Sequence, residues 1–413
     1  MKMVRVRRLL FLAAAAAALV GCGSDRAPAG GTLSIAVDAP FSTSSYVGKT
    51  IANGAQLAVD EINAQGGIVA GGRTYRLKIK RYDNAQSVRR GVANVRRALD
   101  DDAIAIVSDG TSVDASWQLA RDAHVPIGIT YGGGRGLVDE VARPNVYRIA
   151  PTDRGLSFRL AEYMIPKGLK IALLHDDTPY GQDGGEALDH AFSSNPEAVA
   201  TKLTLPAGDT DLSPQILRAR RAGANALLVW GEGATIAETV IAARSANWQV
   251  PIYAPPSAEE PILRQELADR PEWLDGLTFA SGRMTAELGP GFFYAFQSKY
   301  EAAYGVQRVG VRTKAGQEVV APPDYAMYSY DFVNVLAAAI QEAGSIEDRE
   351  KLIEALNQVS VQGANGDHRG FNENNHEGVV DDDVYFAQFD GMIYRPVKDD
   401  PLSATLTQIE QIR

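Results

Sequence analysis

The loop "SDGTSVDAS" (108–116) offers the clearest chemistry in this chain of 413 residues. It lies between a short apolar run, "AIAIVSD" (103–109), and a helical pattern that starts at about 113. Backbone N–H groups at a helix start, together with the helix dipole, favour an anion, and Thr111 and Ser112 add hydroxyl donors. Simple N-capping by a Ser or Thr is the competing reading. "YGGGRG" (131–136) closes the next apolar run, where Gly132 and Gly133 permit close approach of backbone. Arg135 follows, as a second anion partner or a solvated guanidinium. Asp153, Tyr180, Trp230 and Glu232 each stand at or just past the end of a strand-like run. A carboxylate in a closed cleft holds an ammonium group, and aromatic walls add apolar or cation–π contact. The structural alternatives are Asp153 capping a helix at 154 and Trp230 as sheet core.

Covalent chemistry finds little support. "GTSVD" (110–114) is one residue short of a G-x-S-x-G elbow and has no local histidine partner. No P-loop, G-x-G-x-x-G or H-E-x-x-H pattern occurs. Histidines 124, 175, 190, 368 and 376 are scattered. His368 and His376, with Asp367 and Glu377, could bind a metal, but "NGDHRGFNENNHEG" reads rather as a solvated loop, given its Asn and Gly content. Catalysis therefore has no support in these residues, and no enzymatic activity, cofactor or metal is expected.

These residues need elements to position them, and strands alternate with helices along most of the chain. A first series has strands at 32–41, 75–84, 103–109 and 125–131, with helices over 54–67, 87–99 and 113–123. A second opens at "VYRIAPTD" (146–153), with strands at 170–177, 200–206, 226–232 and 251–257 and helices near 154–165, 182–193, 213–222 and 234–246. Such alternation implies βαβ units and two α/β lobes with parallel sheets. The chain beyond 280, with helices near 290–303, 325–343 and 348–359 and a hairpin over 384–397, must pack on those lobes. Ligands in open α/β sheets sit at the carboxyl ends of strands, which nominates the loops after 41, 107, 131, 177, 230 and 256.

Residues 1–8 carry four positive charges, and 9–20 are uninterrupted apolar residues. Twelve helical residues rise about 18 Å, short of the ~30 Å hydrocarbon core, so the layout is that of a secretory signal. "LVGC" (19–22) resembles a bacterial lipobox, in which Cys22 is lipidated and becomes the mature N-terminus; a small buried cysteine is the alternative. Arg7 and Arg8 lack the rest of a twin-arginine pattern. Cys22 is the only cysteine, which excludes intrachain disulfides and thiolate metal clusters. The formal charge of −10 falls to about −14 without the basic leader, which argues against nucleic-acid binding. The runs 100–102 and 381–383, each three aspartates, read as solvated turns, and 23–31 as a flexible tether.

Several segments, in order and spacing, resemble the type I periplasmic binding proteins of the branched-chain amino acid ABC-transporter family, the leucine/isoleucine/valine-binding group. They are "GAQLAVDEINAQGGI" followed by "YDN" at 82–84, "YRIAPTD" (147–153), "IALLHDDTPYGQD" (171–183), "ALLVWGEG" (226–233) and "YDFVNVLAAAIQEAGSIEDREKLIEAL" (330–356). The resemblance implies an α/β fold of two Rossmann-like parallel-sheet lobes joined by three hinge crossovers, closing on a ligand as a Venus flytrap. Lobe 1 would be 32–150 plus 279–357 and lobe 2 151–278 plus 358–397, after a signal peptide (1–21) and lipidated tether (22–31) and before a tail (398–413). Hinges are expected at 149–151, 279–282 and 357–363.

In that family the loop corresponding to 108–116 holds the ligand's α-carboxylate. The loop at 131–136 contacts ligand through backbone and a hydroxyl, although Gly132, Gly133 and Gly134 stand here where Ser, Ala and Thr are usual. Tyr46 matches an aromatic that lines the family pocket. Amino-acid binders usually carry a Glu or Asp where this chain has Pro255, Pro256 and Ser257, with Glu259 displaced. The carboxylate end of a ligand is therefore better supported than the amine end, and an aromatic or aliphatic carboxylate, an amide or another small polar solute also fits. The implied function is a lipid-anchored, extracytoplasmic, monomeric solute-binding protein of an ABC importer. It captures an amino acid or related small carboxylate or amide and passes it to a permease. A sensory lipoprotein of the same fold, or an extracytoplasmic hydrolase, are the alternatives.

Overall fold

A computed structural model describes residues 28–282, 290–321, 323, 325–379 and 384–410. The leader, Cys22 and the aspartates at 381–383 lie outside the described residues. The first sheet contains β1 (Ala29–Ala39), β2 (Ile68–Ala70), β3 (Arg73–Asp83), β4 (Ala103–Ser108), β5 (Ile127–Ile129) and β6 (Val146–Arg148). Their order is β2-β3-β1-β4-β5-β6, all parallel except the β2–β3 hairpin. The second sheet has a parallel body of β7 (Ile171–Asp176), β8 (Val199–Leu205), β9 (Ala226–Trp230), β10 (Ile252–Ala254) and β11 (Thr278–Ser281). Two small hairpins follow, β12 (Arg308–Arg312) with β13 (Glu318–Val320) and β14 (Ser360–Gln362) with β15 (His368–Gly370). The antiparallel pair β16 (Tyr385–Asp390) and β17 (Ile393–Pro396) then completes the second sheet in the order β17-β16-β11-β10-β9-β7-β8. Two parallel-dominant α/β sheets are thus present, as expected.

β4 and β9 are buried along their whole length, because helices cover both faces, so they read as unbroken apolar runs. β3, nearer an edge, alternates: Tyr75 and Leu77 face inward, Arg76 and Lys78 outward. The helix Ser45–Ala64 ends just before Gly66 and Gly67, whose φ angles of 112° and 95° no ordinary residue adopts readily. The late helix Ala326–Ala343 crosses it at Gly54, where a Cβ would stand only 2.0 Å from the Ala326 carbonyl oxygen. Ser329 Oγ donates to Ile51 O at 2.7 Å across the same crossing. Phe332, Leu336 and Ile340 of that helix therefore belong to the first lobe's core. No helix among the described residues is long and apolar enough to cross a membrane.

Four assignments change. β1 begins at Ala29, so the tether is shorter than expected. Residues 358–379 pack on the first lobe, not the second: Ala364, Phe371 and Val379 join its core, and buried Asp331 accepts bonds from Arg369 Nε (3.4 Å) and Ala364 N (2.8 Å). The chain thus packs on the first lobe as far as Val379 and on the second from Val384, so 357–363 is not where it passes between them. The histidine-containing loop is solvated only in part: His368 and residues 372–375 are exposed, but Asn365, Arg369 and His376 are buried. His376 is buried, stacks on Tyr147 with centroids 4.2 Å apart, and sets Nδ1 2.9 Å from Val146 O. Among the described residues no group of acidic, His or Cys side chains could hold a metal. The hairpin β12–β13 lies in a stretch assigned to lobe 1, yet Val309, Val311 and Val319 enter the second lobe's core. The tail forms the helix Pro401–Glu410, held by Ser403 Oγ accepting from Phe386 N (2.7 Å) and by an Arg159–Asp400 ion pair (3.0 Å).

Candidate ligand-binding cleft

Both sheets aim the carboxyl ends of their parallel strands at one cavity of about 320 Å³. Pro40 follows β1, Asp109, Gly110 and Thr111 follow β4, Tyr131, Gly132 and Gly133 follow β5, and Asp153 follows β6. From the second sheet, Thr178, Pro179 and Tyr180 follow β7 and Glu232 follows β9. Gln86 Nε2, in the loop after β3, donates to Glu232 Oε1 at 2.5 Å, so the two lobes touch across the cleft. A smaller recess of about 30 Å³ shares Tyr131 and Tyr180 and reaches Pro256, Glu259 and Tyr328.

Asp153 opens the helix Asp153–Met164 but does not cap it. Thr152 Oγ1 does so, accepting from Gly155 N at 2.8 Å. The carboxylate of Asp153 is left facing the cavity, 2 % exposed, with Oδ2 lacking any hydrogen-bond partner. Burial pushes it up to about 7; Arg148 opposes the rise and Asp183 adds to it. Glycine at 133 is a matter of space. Its carbonyl accepts from Asp153 N at 2.9 Å, and a Cβ would lie 2.3 Å from Asp153 Oδ1 and 2.4 Å from Asp153 N. Arg148 holds this loop from behind. Its Nη1 donates to Gly132 O (3.3 Å) and Gly134 O (3.0 Å), and its Nε and Nη2 grip Glu377 at 2.7 and 2.5 Å.

The helix Pro179–Ala191 starts with a proline and is capped by Thr178, whose Oγ1 accepts from Gly181 N at 3.0 Å. That start presents Tyr180 to the cavity, its ring 5.4 Å from Tyr131 and its hydroxyl hydrogen-bonded to Ser257. Glu232 ends the loop after β9, where its N–H donates to Asp176 Oδ2 at 3.3 Å. Burial, then the neighbouring Asp176, pushes the Glu232 carboxyl up to about 7.

The anion-loop expectation meets a different geometry. Thr111 lines the cavity, but its N–H and Oγ1 both donate to Asp109, at 3.1 and 2.7 Å. Gly132 N is spent on Asp109 O (2.8 Å) and Gly110 N on Ser108 Oγ (3.1 Å). The chain's own Asp109 carboxylate thus takes both donors that Thr111 would otherwise offer a ligand. Ser112 sits behind the wall, buried, donating to Asp38 Oδ2 at 3.3 Å and making no cap bond. Tyr46 packs against the first core and is not among the cavity-lining residues. Trp230 is fully buried against Gly184, where a Cβ would meet Nε1 at 2.1 Å, so it is sheet core. Ser257 is buried too, donating to Gly231 O at 2.5 Å and supporting Tyr180. The displaced Glu259 accepts from Ser281 Oγ at 2.5 Å, while Glu260 accepts from Gly233 N at 3.2 Å. Sequence reasoning passed over Asp109, Tyr131, Asp183 and Gln86. Asp183 shares a helix face with Tyr180, three residues on, which could have found it; Gln86 gives no such signal.

Asp153 and Glu232 are among several carboxyls raised in the fold, and they give the cavity a pH signature. Asp153 faces Arg148 and Asp183, while Glu232 faces Asp176, Asp109, Gln86 and Ser44. Between the ordinary values, 3.8 and 4.5, and about 7, the folded protein holds protons that the unfolded chain has released. Stability is therefore full below that window and is lost as pH rises through about 7. The ligand-free protein is expected to melt at lower temperature at pH 8 than at pH 5, with a shallower slope in Asp153→Asn. An identical slope in the variant would refute the assignment.

Two α/β lobes with a cavity at their facing carboxyl edges define a solute-binding architecture. A family profile described as periplasmic binding protein matches residues 32–392, and the chain belongs to that family. An amino acid binding protein of Pseudomonas aeruginosa is 26% identical over 318 residues, 75% of this chain and 78% of the relative. The fold matches a periplasmic binding protein type 1 from Bordetella pertussis Tohama I with TM-score 0.77 at 21% identity, over 89% of this chain and 100% of that one. It also matches the branched-chain amino acid transporter substrate-binding protein LivJ from Streptococcus pneumoniae, in complex with isoleucine, with TM-score 0.70 at 21% identity, over 88% and 97%. At these identities the structural likeness is one of fold.

Proposed function

We propose that this chain is the extracytoplasmic solute-binding component of an ABC importer. It captures an amino acid or a related small solute between its lobes and delivers it to a permease, tethered by lipid on Cys22. The observation that carries the reading is the cross-lobe cavity, with Thr111, Gly132 and Gly133 on one side and Asp153, Tyr180 and Glu232 around them. Of the two ends of an amino acid, the geometry favours the amine. Asp153 offers an unpartnered carboxylate oxygen, whereas the N–H and hydroxyl of Thr111 are engaged by Asp109. Closure is a hinge motion that a ligand biases by contacting both lobes, and the strand ends at 149–152 and after Ser281 supply two of the crossings. The names of the relatives, amino acid and branched-chain amino acid binders, agree with this reading.

The test has two arms. A thermal-shift panel of amino acids, amides, aromatic acids and sugars should contain a solute that, at a hundred times its Kd, stabilises by about 2.7 kcal/mol. Stabilisation by sugars alone would defeat the amine assignment. In cells, Cys22→Ser should move the protein from the membrane to the soluble fraction; an unchanged distribution would remove the lipid anchor.

A further inference from the structure

We infer that the captured solute is a cation, a small molecule whose alkylammonium groups outnumber its carboxylates, such as a basic amino acid or an α,ω-diamine. The inference rests on the cleft reading above and specifies its ligand. Five carboxylates line the cavity, those of Asp109, Asp114, Asp153, Asp183 and Glu232, against one guanidinium, Arg135, which is exposed. The count alone is not the argument, because three of the five are engaged. Asp109 accepts from Asn84 and Thr111, Asp114 pairs with Arg143, and Glu232 accepts from Gln86.

Asp153 and Asp183 differ. Among the described residues neither forms an ion pair, and Asp153 lines the cavity, 2 % exposed, with a buried Oδ2 that has no hydrogen-bond partner. Asp183 flanks the same glycine loop, close enough that a Cβ on Gly134 would stand 2.2 Å from its Oδ2. Burial pushes Asp183 up to about 6, and its charge in turn raises Asp153. A buried carboxylate without a partner is costly, and a cation between these two relieves both. An α-carboxylate has no comparable seat, since the N–H and hydroxyl of Thr111 and the N–H of Gly132 already serve Asp109. A neutral zwitterion would carry its negative end into an acidic wall.

Lysine, norleucine and cadaverine separate the contributions, because norleucine lacks the side-chain ammonium and cadaverine lacks the carboxylate. Calorimetry on the purified protein at pH 8 and low salt should find lysine and cadaverine each bound at least tenfold more tightly than norleucine. Asp153→Asn and Asp183→Asn should each weaken cadaverine at least tenfold; Asp183, being partly exposed, is the substitution the fold tolerates more readily. Norleucine bound as tightly as lysine overturns the inference, and so does failure of both lysine and cadaverine to bind folded protein. The cleft reading fails in a different way. Norleucine that binds and is lost in Gly133→Ala keeps the cleft and removes the cation, whereas a solute whose affinity ignores Gly133→Ala binds elsewhere.

Discussion

Arg148→Met is expected to cost about 3–5 kcal/mol of stability, the range for removing one partner of a buried ion pair. The side chain of Arg148 is only 4% exposed and that of Glu377 24%, so the orphaned carboxylate would be only partly solvated. The loss reaches further than one pair. Arg148 ends β6, just before the chain passes to the second lobe, and it also forms an isolated parallel β-bridge with Glu377. Through Nη1 the same guanidinium fixes the carbonyls of Gly132 and Gly134 at the cavity. Glu377 and the glycine loop at the cavity therefore share one cation. Arg148→Lys keeps the charge but cannot supply the planar fork that serves four acceptors, so it should recover only part of the stability. Glu377→Gln should cost less than Arg148→Met, because the amide still accepts and is partly solvated. Removing Arg148 also removes the charge that opposes the rise at Asp153, so the pH dependence of solute binding should move upward. Urea unfolding of the three variants checks the order, and Arg148→Met within 1 kcal/mol of the parent would contradict it.

The lobes were legible because their strands and helices obey local rules. "AIAIVS" and "ALLVW" are apolar throughout because both faces are covered, and paired glycines mark the end of a helix. The carboxyl-edge rule also nominated loops whose residues line the cavity. Which side chain in a loop faces the cavity was not legible. Thr111 and Ser112 are adjacent and alike, yet one lines the cavity and the other turns back to Asp38. Trp230 closes its strand inside the sheet, and Glu232, two residues on, reaches the cleft. The late chain misled for another reason. "NGDHRGFNENNHEG" has the composition of a solvated loop, but the Arg369–Asp331 pair and the His376–Tyr147 stack join residues far apart in sequence. Local composition carries no trace of such partners. Asp109 is the most instructive case, since nothing in the sequence marked it as the acceptor that takes the N–H and hydroxyl of Thr111.

Gly133→Ala should abolish solute-induced stabilisation altogether, the largest effect on binding from any single methyl group in the cleft. The φ of Gly133 is not positive, so alanine meets no backbone penalty of the left-handed kind, and the effect is one of space. The added Cβ would lie 2.4 Å from Asp153 N and 2.8 Å from Pro151 O, and these atoms are backbone that no rotamer change can clear. Relief requires moving residues 151–153, which form the first crossing and carry the Asp153 carboxylate. The hydrogen bond from Asp153 N to Gly133 O would break with that shift. Site and hinge are thus disturbed together, and the approximately 2.7 kcal/mol expected at a hundredfold excess of solute should vanish. Gly134→Ala is the control. Its Cβ would meet the Asp183 carboxylate at 2.2 Å, the far end of a partly exposed side chain that can swing toward solvent. Binding there should weaken by about fivefold, not disappear, because the lost contact is comparable to a single exposed charge interaction of about 1 kcal/mol. Equal losses in the two alanine variants would mean that the loop acts through general crowding. Wild-type binding in Gly133→Ala would show that the lobes do not close on this backbone contact at all.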